Sequence, residues 1–276
     1  VLYDQGEVFL CYTGKASLGM SATTLGKGRL AGDRLDAFQV LFQASNPGYG
    51  FHHFGCRIGI DPQGYVFLSV GDRLDADSAQ DPATHLGTVI RLNRDGSVPT
   101  DNPLVGQAGA QPEIYSYGHR NPQGMSIHPT TGEVWLNEHG PQGGDEINIL
   151  KKGANYGWPT ITFGRNYSGT IITRDTAKTG LEQPLYYWLP SIGACGLDMV
   201  HEGPWPDSWQ GDLLAGSLSF EYLERLSLNA DDEVIHRERL LEDIGRVRDI
   251  ARNASSDIFV AIEGAGVVYQ LVPLQP

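Results

Sequence analysis

The chain reads as an all-β protein of the propeller kind, and three observations lead there. A turn-then-strand unit recurs five times, as Gly6-Glu-Val-Phe-Leu-Cys-Tyr, Gly64-Tyr-Val-Phe-Leu-Ser-Val, Gly132-Glu-Val-Trp-Leu-Asn-Glu, Gly211-Asp-Leu-Leu-Ala-Gly-Ser and Ser256-Asp-Ile-Phe-Val-Ala-Ile. Several of these units are followed by a second strand of similar ending: Thr88-Val-Ile-Arg-Leu, Tyr222-Leu-Glu-Arg-Leu and Val267-Val-Tyr-Gln-Leu. The composition agrees, with 40% hydrophobic and only 19% charged residues and 35 glycines. Short strands joined by tight turns need such a mixture, whereas helices need more Ala, Glu and Lys.

Each unit opens on a turn residue and continues as an apolar or β-branched run, the pattern of a buried strand. Turn signals at Asp95-Gly96, Asn166 to Gly169 and Asp231-Asp232 separate the units. Their spacing is loose, which fits blades carrying loop insertions of different length. A five-bladed ring or an unrelated β-sandwich are the other architectures, and sandwiches prefer shorter, more regular spacing. No Pro/Gly/Ser linker divides the chain, so 1–276 is read as a single β-propeller domain.

The bulk properties exclude several classes of function. A net charge of −13 repels nucleic acid and anionic lipid. No apolar run reaches the roughly 18 residues of a membrane span. Cys11, Cys56 and Cys195 are odd in number and far apart, which predicts buried free thiols rather than a disulfide framework or a zinc site. The chain opens on Val1-Leu2-Tyr3-Asp4-Gln5-Gly6, already close to a strand, with no signal peptide.

Polar and turn-forming residues crowd two segments, 118–124 (GHRNPQG) and 137–148 (NEHGPQGGDEIN), on either side of the strand-like Glu133-Val134-Trp135-Leu136. A strand with a dense polar loop at each end is how a rigid scaffold presents a site. Read by residue type alone, the candidates each have an ordinary explanation. His52 and His53 point oppositely in extended chain and cannot chelate one metal side by side. A histidine among aromatics reads as packed or surface-lying, Asp72 as a turn residue and Arg120 as a cap on a turn. Arg246 and Arg248 alternate, so they face one way and repel unless an anion or an acid sits between them. Glu233, Glu238, Glu242 and Asp243 are the nearby acids in sequence. Asp145-Glu146 does not open an EF-hand, since no acidic residues follow at alternate positions.

The motifs GHRNPQG (118–124), EHGP (138–141), GGDEIN (143–148) and NYGWP (155–159) resemble, in this order, the glucose/sorbosone dehydrogenase family, its soluble aldose dehydrogenases in particular. The resemblance covers essentially the whole chain. It implies a six-bladed β-propeller that binds pyrroloquinoline quinone (PQQ) and calcium. With five units visible, it also implies that most of the N-terminal blade is lacking and would lie before Val1.

The resemblance gives residues their roles. It implies that His53, not His52, is the general base, with Asp72 holding the other imidazole N–H. An imidazole suits that task, because its neutral form is available near pH 7. Arg120 and Asn121 match the pair that contacts PQQ, and Arg120 carries a permanent charge to place at a quinone oxygen. The backbone carbonyls of Gly140 and Pro141 are implied as calcium ligands, and calcium takes such oxygens readily. Main-chain oxygens at Glu146 and Tyr156 are implied for a second calcium. Arg246 and Arg248 match the clamp on the PQQ carboxylates, and Tyr167 a position near the cofactor plane. His119 stands in a variable position and receives no role. Ser219 stands where the family has a lysine that contacts the quinone, so a cation is replaced by a neutral hydroxyl. A glutamine of the family's first blade falls outside the chain.

The implied activity is oxidation of aldose sugars at C1 to lactones, with electrons passing to an unknown acceptor. The implied compartment is the periplasm or the exterior. Two other readings stand beside it: a calcium-dependent lactone hydrolase, which needs Glu, Asn and Asp side chains converging on one metal, and a non-enzymatic propeller that binds sugars or partners.

Overall fold

The computed structural model describes residues 1–273. Five antiparallel sheets follow one another along the chain, each with its strands in chain order. The first holds β1 (Leu2–Asp4), β2 (Glu7–Lys15), β3 (Ser21–Ala31) and β4 (Arg34–Gln43). The second holds β5 (Gly55–Ile60), β6 (Val66–Val70), β7 (Thr88–Leu92) and β8 (Ile114–Tyr117). The third holds β9 (Pro122–Ile127), β10 (Val134–Glu138), β11 (Asp145–Ile149) and β12 (Tyr186–Trp188). The fourth holds β13 (Ala194–Met199), β14 (Leu213–Ser217), β15 (Leu223–Leu228) and β16 (Val234–Leu240). The fifth has three strands, β17 (Val247–Arg252), β18 (Ile258–Ile262) and β19 (Val267–Gln270). The fold class is an all-β propeller. Its sheets number five among the described residues, one short of the six that the resemblance implies.

The five recurring sequence units are β2, β6, β10, β14 and β18, the second strand of every sheet. The reason is burial. β6, β10 and β14 are covered along their whole length, so both faces demand apolar or satisfied residues and the strand reads as a continuous run. The last strands β4 and β16 are mostly exposed and carry charges on one or both faces.

Two compact units are distinguished. One comprises Val1–Pro122, Leu150–Thr162 and Thr173–Gln183; the other Gln123–Ile149, Phe163–Ile172 and the chain from Pro184 on. The first unit is built on Phe9, Leu25, Val66, Leu68, Ile90 and Leu92. The second has two clusters, around Trp135, Trp188, Met199 and Tyr222, and around Trp205, Leu214, Val247 and Val260. Each large apolar side chain so buried contributes about 1.5–3 kcal/mol. No helix among the described residues is long and apolar enough to cross a membrane.

One sequence expectation fails here. Cys11 on β2 and Cys56 on β5 form a disulfide within the first unit, while Cys195 is a buried thiol outside the bridge. The two half-cystines are 45 residues apart and meet only because β2 and β5 pack side by side. Counting cysteines could not show this. Closing a loop of that length removes chain entropy worth about 4 kcal/mol from the unfolded state.

Candidate active site

In the first unit β6 ends at Val70, and Gly71-Asp72 turns back toward the segment that leads into β5. A Cβ at Gly71 would overlap the carbonyl oxygen of His53, so only glycine lets the two backbones approach this closely. The approach sets His53 Nδ1 at 2.6 Å from Asp72 Oδ1. Asp72 is 1% exposed and is held by two further donors, the Leu74 backbone N–H at 2.9 Å and the Trp158 indole N–H at 2.8 Å. A carboxylate that accepts from Nδ1 fixes the neutral imidazole with its proton there, which leaves Nε2 as an acceptor. The His53 side chain is 14% exposed, enough to be reached, whereas His52 is exposed.

The backbone that carries His53 is held under strain. His53 has φ 50° and Cys56 φ 78°, with Gly55 between them at φ 67°. A non-glycine residue in the left-handed region costs about 1–2 kcal/mol. Several contacts resist relaxation. Thr23 donates its hydroxyl to the Phe54 carbonyl at 2.7 Å, Asn121 Oδ1 accepts from the Gly55 N–H at 3.3 Å, and the Arg73 guanidinium lies 3.5 Å over the Phe54 ring.

Arg120 and Asn121 are buried at 6% and 7% exposure just before β9. The Asp72 N–H donates to the Arg120 carbonyl at 2.8 Å, and the Arg120 guanidinium sits 5.4 Å from the Trp158 ring centre. The structure therefore gathers His53, Asp72, Arg120 and Asn121 into one group of the first unit. Trp158 joins it through both Asp72 and Arg120, a residue that sequence reading passed over although it lies inside NYGWP. Tyr156 belongs to the same unit; its ring stacks on His119 at 4.7 Å and its hydroxyl accepts from the Lys151 N–H at 2.9 Å. His119 is fully buried beside Ser116.

The second unit holds the remaining candidates. The loop from β10 to β11 doubles back at Gly140, whose N–H donates to Asp145 Oδ1 at 2.9 Å. Asp145, 1% exposed, also accepts from the Ala194 N–H at 2.8 Å. A Cβ on Gly140 would overlap the carbonyl oxygens of Gly143 and Gly144, so the turn is lined by backbone oxygen. The Pro141 carbonyl accepts from the Ser191 hydroxyl at 3.3 Å.

Glu146 lies opposite Glu138 in the β10–β11 register. It keeps some exposed surface, but its carboxyl is enclosed by protein. Burial first, and then the Glu138 charge, push that carboxyl well above the usual carboxylate range, against a hydrogen bond from Asn148. Among the described residues no group of three or more His, Cys, Asp or Glu side chains is placed to hold a metal ion.

Arg246 and Arg248 do share one face, but the acid between them is not one of the four considered from sequence. It is Glu263, which follows β18 and whose N–H donates to the Arg246 carbonyl at 2.9 Å. Arg246 Nε lies 3.3 Å from Glu263 Oε1, and Arg248 pairs with Glu263 Oε2. Burial works against the charged form of Glu263, yet the two guanidinium groups outweigh it and hold its carboxyl below the usual range. Strand pairing supplies this acid, so proximity in sequence could not. Of the acids considered earlier, Glu233 accepts from Asn229 and Glu238 from Arg225. Arg248 also contacts Cys195 Sγ at 3.7 Å. Tyr167 is 77% exposed, and Ser219 is exposed with its N–H donating to Ile192.

A propeller of short sheets with an imidazole–carboxylate pair at a strand end defines a class, and the comparisons with known proteins agree on which. Residues 3–270 match the glucose/sorbosone dehydrogenase family, and the chain belongs to it. It is 38% identical over 273 residues to aldose sugar dehydrogenase YliI of Escherichia coli K12, covering 97% of this chain and 73% of YliI. It is 46% identical over 92 residues to quinoprotein glucose dehydrogenase B of Acinetobacter calcoaceticus, covering 33% of this chain and 19% of that protein. A solved glucose dehydrogenase structure superposes with a TM-score of 0.92 at 37% identity, over 98% of this chain and 79% of its own.

Proposed function

We propose that the chain is a PQQ-dependent dehydrogenase that oxidises aldose sugars at C1 to lactones, with His53 as general base. The observation that carries this reading is the His53–Asp72 pair, whose carboxylate leaves Nε2 free to accept a proton. His53 takes the proton of the anomeric hydroxyl as the C1 hydride departs, and the C1–O bond becomes the lactone carbonyl. Asp72 keeps the imidazole oriented and balances the positive charge that it gains. Trp158 holds Asp72 in turn.

PQQ, when bound, supplies the two-electron acceptor for the hydride. The side chains present fit such a group. Arg120 and Asn121 would hold it in the first unit. Arg246 and Arg248, which both pair with Glu263, are proposed contacts for an anion carrying three carboxylates. Tyr167 and Ser219 are further candidate contacts; at Ser219 a weaker neutral hydrogen bond stands in for a cation. The oxygen-lined turn at Gly140-Pro141 suits calcium, a hard cation, and Glu146 and Tyr156 are proposed for a second ion. YliI is named an aldose sugar dehydrogenase and the Acinetobacter protein a quinoprotein, and both names favour this reading. The sixth blade implied by the family, a single propeller domain and a periplasmic or secreted setting belong to the same proposal. The disulfide supports the last, since such bonds persist in oxidising compartments. The electron acceptor is left open.

Two experiments bear on the cofactor side. Chelation of calcium is expected to lower PQQ-dependent sugar oxidation at least about tenfold, and added calcium to restore it; full activity in excess chelator counts against the Gly140-Pro141 assignment. Arg248→Ala removes a charge-assisted contact worth roughly 1.5–3 kcal/mol, so PQQ should bind at least about tenfold more weakly. The Tm of the empty protein should barely move, because a half-exposed ion pair contributes little. Unchanged PQQ affinity with a lowered Tm would mean that the arginine serves only to hold Glu263.

A further inference from the structure

We propose that the Cys11–Cys56 disulfide is a positioning clamp for His53; this rests on the reading of His53 as the base. Three of the four residues from His53 to Cys56 are left-handed, and the pairing of β5 with β6 is broken between Gly55 and Ile58. Left-handed histidine and cysteine relax toward ordinary extended backbone unless the surroundings prevent it. Hydrogen bonds from Thr23 and to Asn121 hold the middle of this segment, but they open and close reversibly.

The covalent tether stands at its C-terminal end. Cys11 pairs in register with Leu25 of β3, a fully buried core residue, so Cys56 is bonded to an interior strand of the first sheet. On the other side the His53 carbonyl is wedged against Gly71, immediately before Asp72. The bridge thus fixes the C-terminal end of the His53 segment, while the close approach of Gly71 fixes its start beside Asp72. Neither cysteine of the bridge is fully buried, so a reductant can reach it. Displacement of a catalytic group by about 1 Å costs on the order of a hundredfold in rate.

The test uses the full chain at 25 °C, treated with a phosphine reductant and, separately, as Cys11→Ala/Cys56→Ala. Alkylation and mass measurement confirm that both thiols are free. Circular dichroism reports the fold, and proton NMR of the cofactor-free protein reports the downfield His53 Nδ1–H signal, assigned by its loss in His53→Ala. Turnover is then measured after loading with PQQ and calcium. Expected are an unchanged dichroism spectrum, loss of the downfield signal, and a kcat about ten- to a hundredfold lower with KM within about twofold. Reoxidation should restore signal and rate together. An intact signal and kcat with both thiols free would overturn the proposal, as would loss of signal only in step with loss of the folded spectrum, which would make the bridge a stability staple. Near-normal turnover of His53→Ala sinks the reading of His53 as base instead, and the NMR comparison separates that failure from failure of the clamp.

Discussion

Replacing His53 by alanine is expected to lower turnover about 100- to 10,000-fold, the range of a lost general base. Three features make the effect specific. The imidazole is tied at Nδ1 to a buried carboxylate, so its free nitrogen is an acceptor in a fixed direction. It is partly exposed, so a substrate hydroxyl can reach it. The neighbouring His52 is exposed, and it is His53 that meets Asp72. PQQ affinity should be unchanged, because the proposed cofactor contacts are made by other side chains. Steady-state kinetics with a saturating aldose checks this: kcat should fall while the PQQ titration stays the same. Turnover within about tenfold of the parent removes His53 from the role.

Asp72→Asn is expected to cost about a hundredfold or more in kcat, although the side chain hardly changes shape. Asp72 accepts three N–H donors, from His53, Leu74 and Trp158. An asparagine has only one oxygen. If that oxygen faces Trp158, the amide N–H2 faces His53 Nδ1 and drives the ring proton to Nε2, where a base cannot accept another. If it faces His53, donor meets donor at the Trp158 indole, and a buried unsatisfied N–H costs about 1–3 kcal/mol. The first arrangement lowers kcat and also sets the Leu74 N–H against a donor, so Tm falls in either case and kcat, measured in the same preparation, separates them. A variant normal in both contradicts the geometry.

Much of the fold was legible because the interior strands leave little choice of residue. β2, β6, β10, β14 and β18 each follow a turn and are paired with a strand on both edges, so their apolar runs stand out. The third strands β7, β15 and β19 were legible by their shared ending. The outer strands β4 and β16 were not, because exposed positions accept Arg, Asp, Glu or Gln without penalty and leave no periodic mark. At the candidate site the resemblance supplied His53 and Asp72, and the structure supplied the contact. What remained hidden depends on pairings between distant segments. Cys11 meets Cys56, Arg246 and Arg248 meet Glu263, and Trp158 meets Asp72 through packing that no local pattern encodes. Glu146 reads as one more polar loop residue until the register sets it opposite Glu138.

Transfer of electrons from an aldose to PQQ is the activity proposed for this chain. The most direct test is an absorbance scan of the protein mixed with PQQ and calcium, recorded before and after adding glucose, beside an identical mixture made with His53→Ala. The quinone band of the parent protein is expected to bleach on the addition of sugar, and the band of the His53→Ala mixture to persist over the same interval. A quinone band that sugar leaves unchanged in the parent, with PQQ shown to be bound, would contradict the proposed activity.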